Sequence, residues 1–528
     1  MEQSFNEENF DFFPAKSQIL KSATKEAFAR LSFTFEKEHL EKIIDAALDS
    51  SSSENDRYVC ACILENARVA SSGRFPICQD TGIATIFGWA THDFCFDENS
   101  GEQIFEGAKE IYDEKKLRFS TSVPVSFWKE RDSGDNMPPQ ISIFAKNCSL
   151  APEPQFAKNL PKESLALLFV AKGGGSSNKT SFIQGTKAYL SREKFIGLMR
   201  EQISKFGTSA CPPYSISIVV GGLSPEQNLL ALKLATAGAY REMTHDANAQ
   251  AFRDKEMEEI AMQIAKETGF GAQFGGRAFA ISATVVRLPR HGASCPISFG
   301  VSCCAHRNLR AVVTKDGFFL EKTVLDPTNL PRFFEATAFK KNEKSNGISL
   351  NTNNGIEYLR DSLKSLVPGT RVLLSGKILV ARDAAHARWK NLVDEGKNLP
   401  SYVFSYPICY AGPARTPDGA VIGSFGPTTA GRMDAYADFL MSRGASLVTL
   451  AKGNRSESFI DACKKYKAVY LGTPGGIAAL IASEYIVSQK IVDYSELGME
   501  AVRIVEVKNL PCFVLTNANG EDFYGNAR

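Results

Sequence analysis

Short apolar runs recur along this chain, each long enough for one buried strand and too short to cross a membrane. ISIFA (141–145), LALLFVA (165–171), YSISIVV (214–220) and SATVVRL (282–288) occupy the first part. VLLSGKILV (372–380), SLVTLA (446–451), KAVYLGT (467–473) and VRIVEV (502–507) follow in the second. Runs of this length, bounded by turn residues, read as strands. Other segments change to helical spacing: Leu40, Ile43, Ile44, Ala47 and Leu48 predict a helix over 37–49, and a second is expected over about 54–69. Two more fall at 225–240 and 254–268, the latter with Met257, Ile260, Ala261 and Ile264 on one face. Strands alternating with helices predict an α/β fold. The stretch 321–365 is rich in Asn, Lys and Pro, poor in pattern, and reads as a linker. Two domains are therefore expected, over 1–320 and 349–528, joined by 321–348; no internal repeat is visible.

Charge narrows the partners. The chain carries 61 basic and 59 acidic side chains, a net +2, whereas a nucleic-acid binder needs a basic excess to neutralise phosphates. No apolar run approaches the roughly 18 residues of a membrane helix. The start, MEQSFNEENFDFF, is acidic and lacks the apolar core of a secretory signal, so a cytoplasmic location is expected. The twelve cysteines are then expected to be reduced. Cys62, Cys463, Cys512, Cys95 and Cys148 read as small packing residues.

Several motifs fail on inspection. LALLFVAKGGGSSNKT runs from a strand into glycines and Lys179, yet Asn178 stands where a phosphate loop needs its second glycine. Consecutive glycines there still let backbone N–H groups converge on an anion such as a carboxylate. GFGAQFGG (269–276) follows a helix rather than a strand, and GTPGG (472–476) has the wrong spacing. His39 and His92 sit among charged neighbours and read as surface residues; His291 and His386 lie in denser settings.

What remains is a set of segments dense in Gly, Pro, Cys, Arg and Thr near strand ends, where α/β proteins gather ligands. Their arginines and Lys452 suit an anionic substrate, and their cysteines suit a soft metal. With CQDTG, KGGGS, ACPPY, RHGASCP, GVSC, RD-x-AHA, GPTTAGRMD and LAKGNRS in this order from about residue 55 to 525, the chain closely resembles the class I, iron–sulfur-dependent fumarate hydratases. The resemblance implies a large mixed α/β N-terminal cluster-binding domain, a smaller C-terminal swivelling β/α domain, a homodimer, and an active site between the domains.

It also implies site residues. Cys78, Cys211 and Cys303 would ligate a [4Fe–4S] cluster with one open iron, the register of GVSC favouring Cys303 over its neighbour Cys304. Gln79, Asp80, Arg118, Gly175, His291, Arg382, Thr428, Arg432 and Lys452 would contact a small dicarboxylate, fumarate or malate. Asp80 and Thr428 are the candidates for proton transfer, since a Thr hydroxyl alone is a poor base and needs a partner. The implied activity is reversible hydration of fumarate to (S)-malate, a carbon–oxygen lyase reaction of the tricarboxylic acid cycle. The nearest alternative is L-tartrate dehydratase, usually built from separate subunits; mesaconate is another possible substrate. An iron–sulfur sensor is disfavoured, because a sensor needs no proton-transfer pair.

Overall fold

A computed structural model describes residues 7–341 and 347–525. The described residues form three main sheets. The first runs in the order Phe10–Pro14, Gly317–Glu321, Asn308–Thr314, Leu165–Lys172, Ile83–Ala90, Gln140–Ala145. All its pairings are antiparallel except the last. In the second sheet Tyr214–Gly222 lies between Ala280–Arg290, to which it is parallel, and Cys295–Ser302, to which it is antiparallel. Strand Leu165–Lys172 is buried along nearly its whole length, which is why it reads as a continuous apolar run instead of an alternating one.

The third sheet belongs to the C-terminal part. Ile348–Asn351, Arg371–Val380, Ile408–Cys409, Val448–Ala451 and Val469–Gly472 are parallel neighbours. The long strand Val502–Thr516 runs antiparallel to both Val469–Gly472 and Arg371–Val380, curling the sheet back on itself. Helices such as Asp383–Asp394 and Glu457–Tyr466 link its strands, giving the expected β/α unit. One continuous apolar core joins the two halves: Tyr58 of helix Glu54–Ala70 packs in the same cluster as Phe513 and Leu515.

The stretch read as a linker carries more structure than its composition suggested. Helix Phe333–Lys341 packs on helix Glu54–Ala70, burying Phe333 and Ala336, and helix Ile356–Leu363 buries Leu359 and Leu363. Residues 342–346 of the expected linker lie outside the described residues. His39 also differs from expectation. Its ring stacks between Phe35 and His306, and Nε2 is 2.9 Å from the Cys304 carbonyl oxygen. It shares the inner helix face with Leu40 and Ile43, while Glu38 and Lys42, the neighbours that suggested a surface position, pair on the outside. Cys95 and Cys148, expected to pack, are exposed in loops. Among the described residues no helix is long and apolar enough to cross a membrane.

Candidate active site

The loop 75–82 that carries CQDTG connects helix Glu54–Ala70 to strand Ile83–Ala90. Both halves of the chain hold it. Asn66 Nδ2 donates to the Ile77 carbonyl at 3.0 Å, and Ser424 Oγ donates to the Pro76 carbonyl at 2.6 Å. Gln79 Nε2 reaches the Pro427 carbonyl at 3.3 Å, and its amide leaves no room for a Cβ at Gly426. Cys78 and Gln79 are thereby fixed and buried.

Asp80 is the electrostatic centre of this loop. Its carboxylate accepts the Gly174 and Gly82 amides at 3.0 and 3.2 Å and pairs with Arg118 Nη2 at 2.9 Å. Burial alone would raise its pKa; the Arg118 and Arg307 guanidiniums and the two amides outweigh that and bring it down to about 2. Gly174 opens the short helix Gly174–Ser177 after strand Leu165–Lys172, so the glycines that failed as a phosphate loop deliver an amide to a carboxylate. Arg118, which lies outside the motifs that carry the resemblance, is among the most firmly placed: its Nη1 also donates to the Gly412 carbonyl at 3.1 Å.

The other cysteines come from the second sheet. Cys211 has φ +65 in the turn before strand Tyr214–Gly222, and its carbonyl accepts the Cys304 amide at 3.1 Å. Cys303 follows strand Cys295–Ser302, which neighbours Tyr214–Gly222 in the sheet, so strand pairing brings the two cysteine turns together. Lys452 Nζ donates to Cys211 Sγ at 2.7 Å; burial nevertheless pushes this thiol up to about 11. Cys304 points elsewhere, toward Gly475 and Gly476.

The C-terminal part supplies the opposite wall from the carboxyl ends of its parallel strands, the usual ligand edge of such sheets. Arg382 follows strand Arg371–Val380 and donates to Glu500 Oε1 at 2.6 Å. Lys452 follows Val448–Ala451, and its amide donates to the Thr428 carbonyl at 3.2 Å. Thr428 Oγ1 donates to the Tyr410 carbonyl at 3.1 Å, not to Asp80. Arg432 pairs with Asp383 at 3.1 Å and is partly exposed.

Cys78, Gln79, Asp80, Arg118, Gly175, Cys211, Cys303, Arg382, Thr428, Arg432 and Lys452 line one cavity of about 240 Å³ between the two halves. His291 does not. It sits on the exposed turn between strands Ala280–Arg290 and Cys295–Ser302, its Nδ1 accepting the Ala293 amide at 3.2 Å. His386 is buried against Trp389 and Tyr410, and burial lowers its pKa to about 4. Sequence reasoning passed over two cations that line the same cavity, Lys179 and Arg307. Lys179 had been set aside with the failed phosphate loop, and Arg307 lies just beyond the GVSC motif with no pattern of its own.

Three thiols on one cavity wall are a soft donor set suited to iron–sulfur chemistry. Among the described residues no three ligands are grouped tightly enough for a single ion. An iron–sulfur cluster is held by cysteine thiolates, and three separate thiols line this cavity. The donor set fits such a cluster.

Comparison with known proteins agrees with this architecture. The family described as fumarate hydratase (Fumerase) matches residues 21–312, and fumarase C-terminus matches residues 319–527. Fumarate hydratase 2 of Leishmania major is 41% identical over 502 residues, covering 94% of this chain and 85% of that protein. The aerobic class I fumarate hydratase of Escherichia coli K12 is 40% identical over 509 residues, 96% of this chain and 90% of that protein. Two putative L(+)-tartrate dehydratase subunits of Methanocaldococcus jannaschii match shorter stretches, alpha at 26% over 276 residues and beta at 34% over 170. The chain belongs to the class I fumarate hydratase family.

Proposed function

We propose that this chain catalyses the reversible hydration of fumarate to (S)-malate, with a [4Fe–4S] cluster held by Cys78, Cys211 and Cys303. One observation carries the reading: three thiols, an ionised aspartate and a set of cations meet in a single cavity between the two halves. When bound, the cluster supplies an open iron that acts as a Lewis acid on the C2 carbon–oxygen bond.

The chain's own residues do the rest. Arg118, Arg382, Arg432 and Lys452 bind and orient the two carboxylates; arginine forks suit this geometry. The Gly175 backbone adds a donor, and Gln79 fixes the loop beside it. Dehydration removes a C3 proton, and the resulting charge spreads into the adjacent carboxylate, where the arginines stabilise it as it develops. With its pKa near 2, Asp80 is ionised at neutral pH and too weak a base to take that proton unaided. It takes the proton by relay: the Thr428 hydroxyl receives it from C3 as it passes its own proton to the Asp80 carboxylate, which requires that hydroxyl to leave the Tyr410 carbonyl when substrate binds.

A homodimer completes the proposal. His291 reaches a substrate only if its exposed turn enters the cavity of a second copy. The bare tip of the hairpin Ser122–Asp132, with Phe127 93% and Trp128 88% exposed, supplies apolar surface for association. Reduced thiols suit a cytoplasmic location. Fumarate is preferred over tartrate because both parts sit in one chain, as in the fumarate hydratases matched over nearly its whole length.

The test is a pair of cysteine variants reconstituted with iron and sulfide without oxygen. Cys303→Ala should bind no cluster, whereas Cys304→Ala should bind one and keep hydrating fumarate. A full cluster in Cys303→Ala defeats the ligand assignment.

A further inference from the structure

A second polar space lies behind the wall that carries Cys303. It measures about 20 Å³, enough for one water molecule, and Lys172, Thr236 and Ser302 supply polar side chains around it. Gly173, Ser176, Cys303, Ala305 and Arg307 line both this inner space and the substrate cavity, so the two adjoin. Lys172 ends strand Leu165–Lys172, and Thr236 ends helix Pro225–Thr236. Lys172 Nζ donates to Thr236 Oγ1 at 2.9 Å, and Thr236 Oγ1 donates to the Lys233 carbonyl at 2.9 Å.

On the other side of Thr236 lies an outer cavity of about 130 Å³. Hydroxyls and imidazoles line it, among them Ser215, Ser217, His39 and His306, together with Glu38 and Lys42. The Glu38 and Lys42 side chains are 55% and 38% exposed, so this cavity opens to solvent there. Two features join the inner space to the outer cavity. Thr236 lines both. Ser302 of the inner space bonds His306 of the outer cavity, Oγ to Nδ1, at 2.5 Å. Apolar side chains would keep such a seam dry, whereas hydroxyls, an amine and an imidazole hold water.

We propose that the three spaces form a rear passage for water, gated by the Thr236 side chain. Through it the water added to or removed from C2 exchanges with solvent while the dicarboxylate stays bound. The inference rests on the proposed hydration reaction. Each hydration consumes one water and each dehydration releases one, beside a substrate held from the opposite wall by Arg382 and Arg432. A water that leaves past Cys303 does not have to displace that substrate. Rotation of the Thr236 side chain joins the inner space to the outer cavity.

The experiment is isotope exchange at equilibrium between malate and fumarate, catalysed by the anaerobically reconstituted full chain. Two rates are read on one sample: loss of a heavy-oxygen label from the malate C2 hydroxyl to solvent, and transfer of labelled carbon from malate into the fumarate pool. Wild type should lose oxygen several-fold faster than it exchanges carbon, because bound fumarate is rehydrated by a new water before it leaves. Thr236→Ile fills the inner space, and Thr236→Val keeps the size but removes the hydroxyl. Each should bring the two rates toward parity, with KM for malate unchanged because Thr236 does not line the substrate cavity. Thr236→Ser should keep the wild-type ratio. Parity in wild type overturns the passage, since water then waits for fumarate to leave. An unchanged ratio in Thr236→Val also overturns it, whatever Thr236→Ile does, even if that variant fails to fold. A wild-type chain that exchanges neither label defeats the hydration reading itself, which keeps the two failures apart.

Discussion

Gly475→Ala should strip the cluster site of its geometry by adding one methyl group. The Gly475 backbone lies outside the left-handed region, so alanine meets no conformational penalty there. The conflict is steric: the new Cβ would overlap Cys211 Sγ and come within 3.0 Å of Lys452 Cδ. Neither side can retreat freely. Gln273 clamps the Gly475 amide at 2.7 Å and its carbonyl at 3.0 Å, and Lys452 holds Cys211 Sγ at 2.7 Å. Overpacking of this kind costs about 1–3 kcal/mol, and the clamps place it toward the upper end. The effect should fall on the cluster more than on the fold, because the easiest relief is rotation of the Cys211 side chain away from the cavity. Gly197→Ala is the control, since nothing lies within 4 Å of its Cβ. The assay is iron and sulfide content after anaerobic reconstitution, with a thermal melt of each variant. Gly475→Ala should fold but hold little cluster, and Gly197→Ala should match wild type. A full cluster with unchanged activity in Gly475→Ala would refute the placement of Cys211.

Thr428→Ala should cut kcat by about 100-fold or more while iron content stays at the wild-type level, the range expected for a lost proton-transfer group. Asp80→Asn should abolish activity and also destabilise the chain by about 3 kcal/mol, the low end for breaking a buried pair, because it leaves Arg118 with no acid. Denaturant unfolding checks it, and an unchanged midpoint would contradict the pairing. His386 gives a pH test. Its pKa is about 4 in the fold against an ordinary 6.5, so it is neutral in both states above pH 6.5. As pH falls from 6.5 toward 4 only the unfolded chain takes the proton, and stability should drop by about 3 kcal/mol. His386→Gln should flatten that slope; an identical slope would assign the loss to other groups.

The fold was largely legible where apolar runs were buried on both sides. Leu165–Lys172 and Arg371–Val380 were readable because nearly every residue faces a core. Helix Phe333–Lys341 was not, because its formation depends on burying Phe333 and Ala336 against helix Glu54–Ala70, a tertiary effect that local composition conceals. The site was legible only through family resemblance. Cys78, Cys211 and Cys303 stand 133 and 92 positions apart (211−78 and 303−211), beyond any local spacing rule. Strand pairing accounts for the meeting of the last two. Arg307 lacked a signal because no motif surrounds it, and only the folded chain brings its charge to the cavity that holds Asp80. GTPGG, whose spacing does not fit a nucleotide loop, ends in two glycines, Gly475 and Gly476, that make room for Cys211 and Cys304.

The most direct measurement is hydration of fumarate by the purified chain, reconstituted with iron and sulfide without oxygen, followed by loss of fumarate absorbance and chiral analysis of the product. The account predicts (S)-malate, with far slower turnover of tartrate and mesaconate, and loss of activity once the iron is chelated in air. Undiminished hydration after complete iron removal would contradict it.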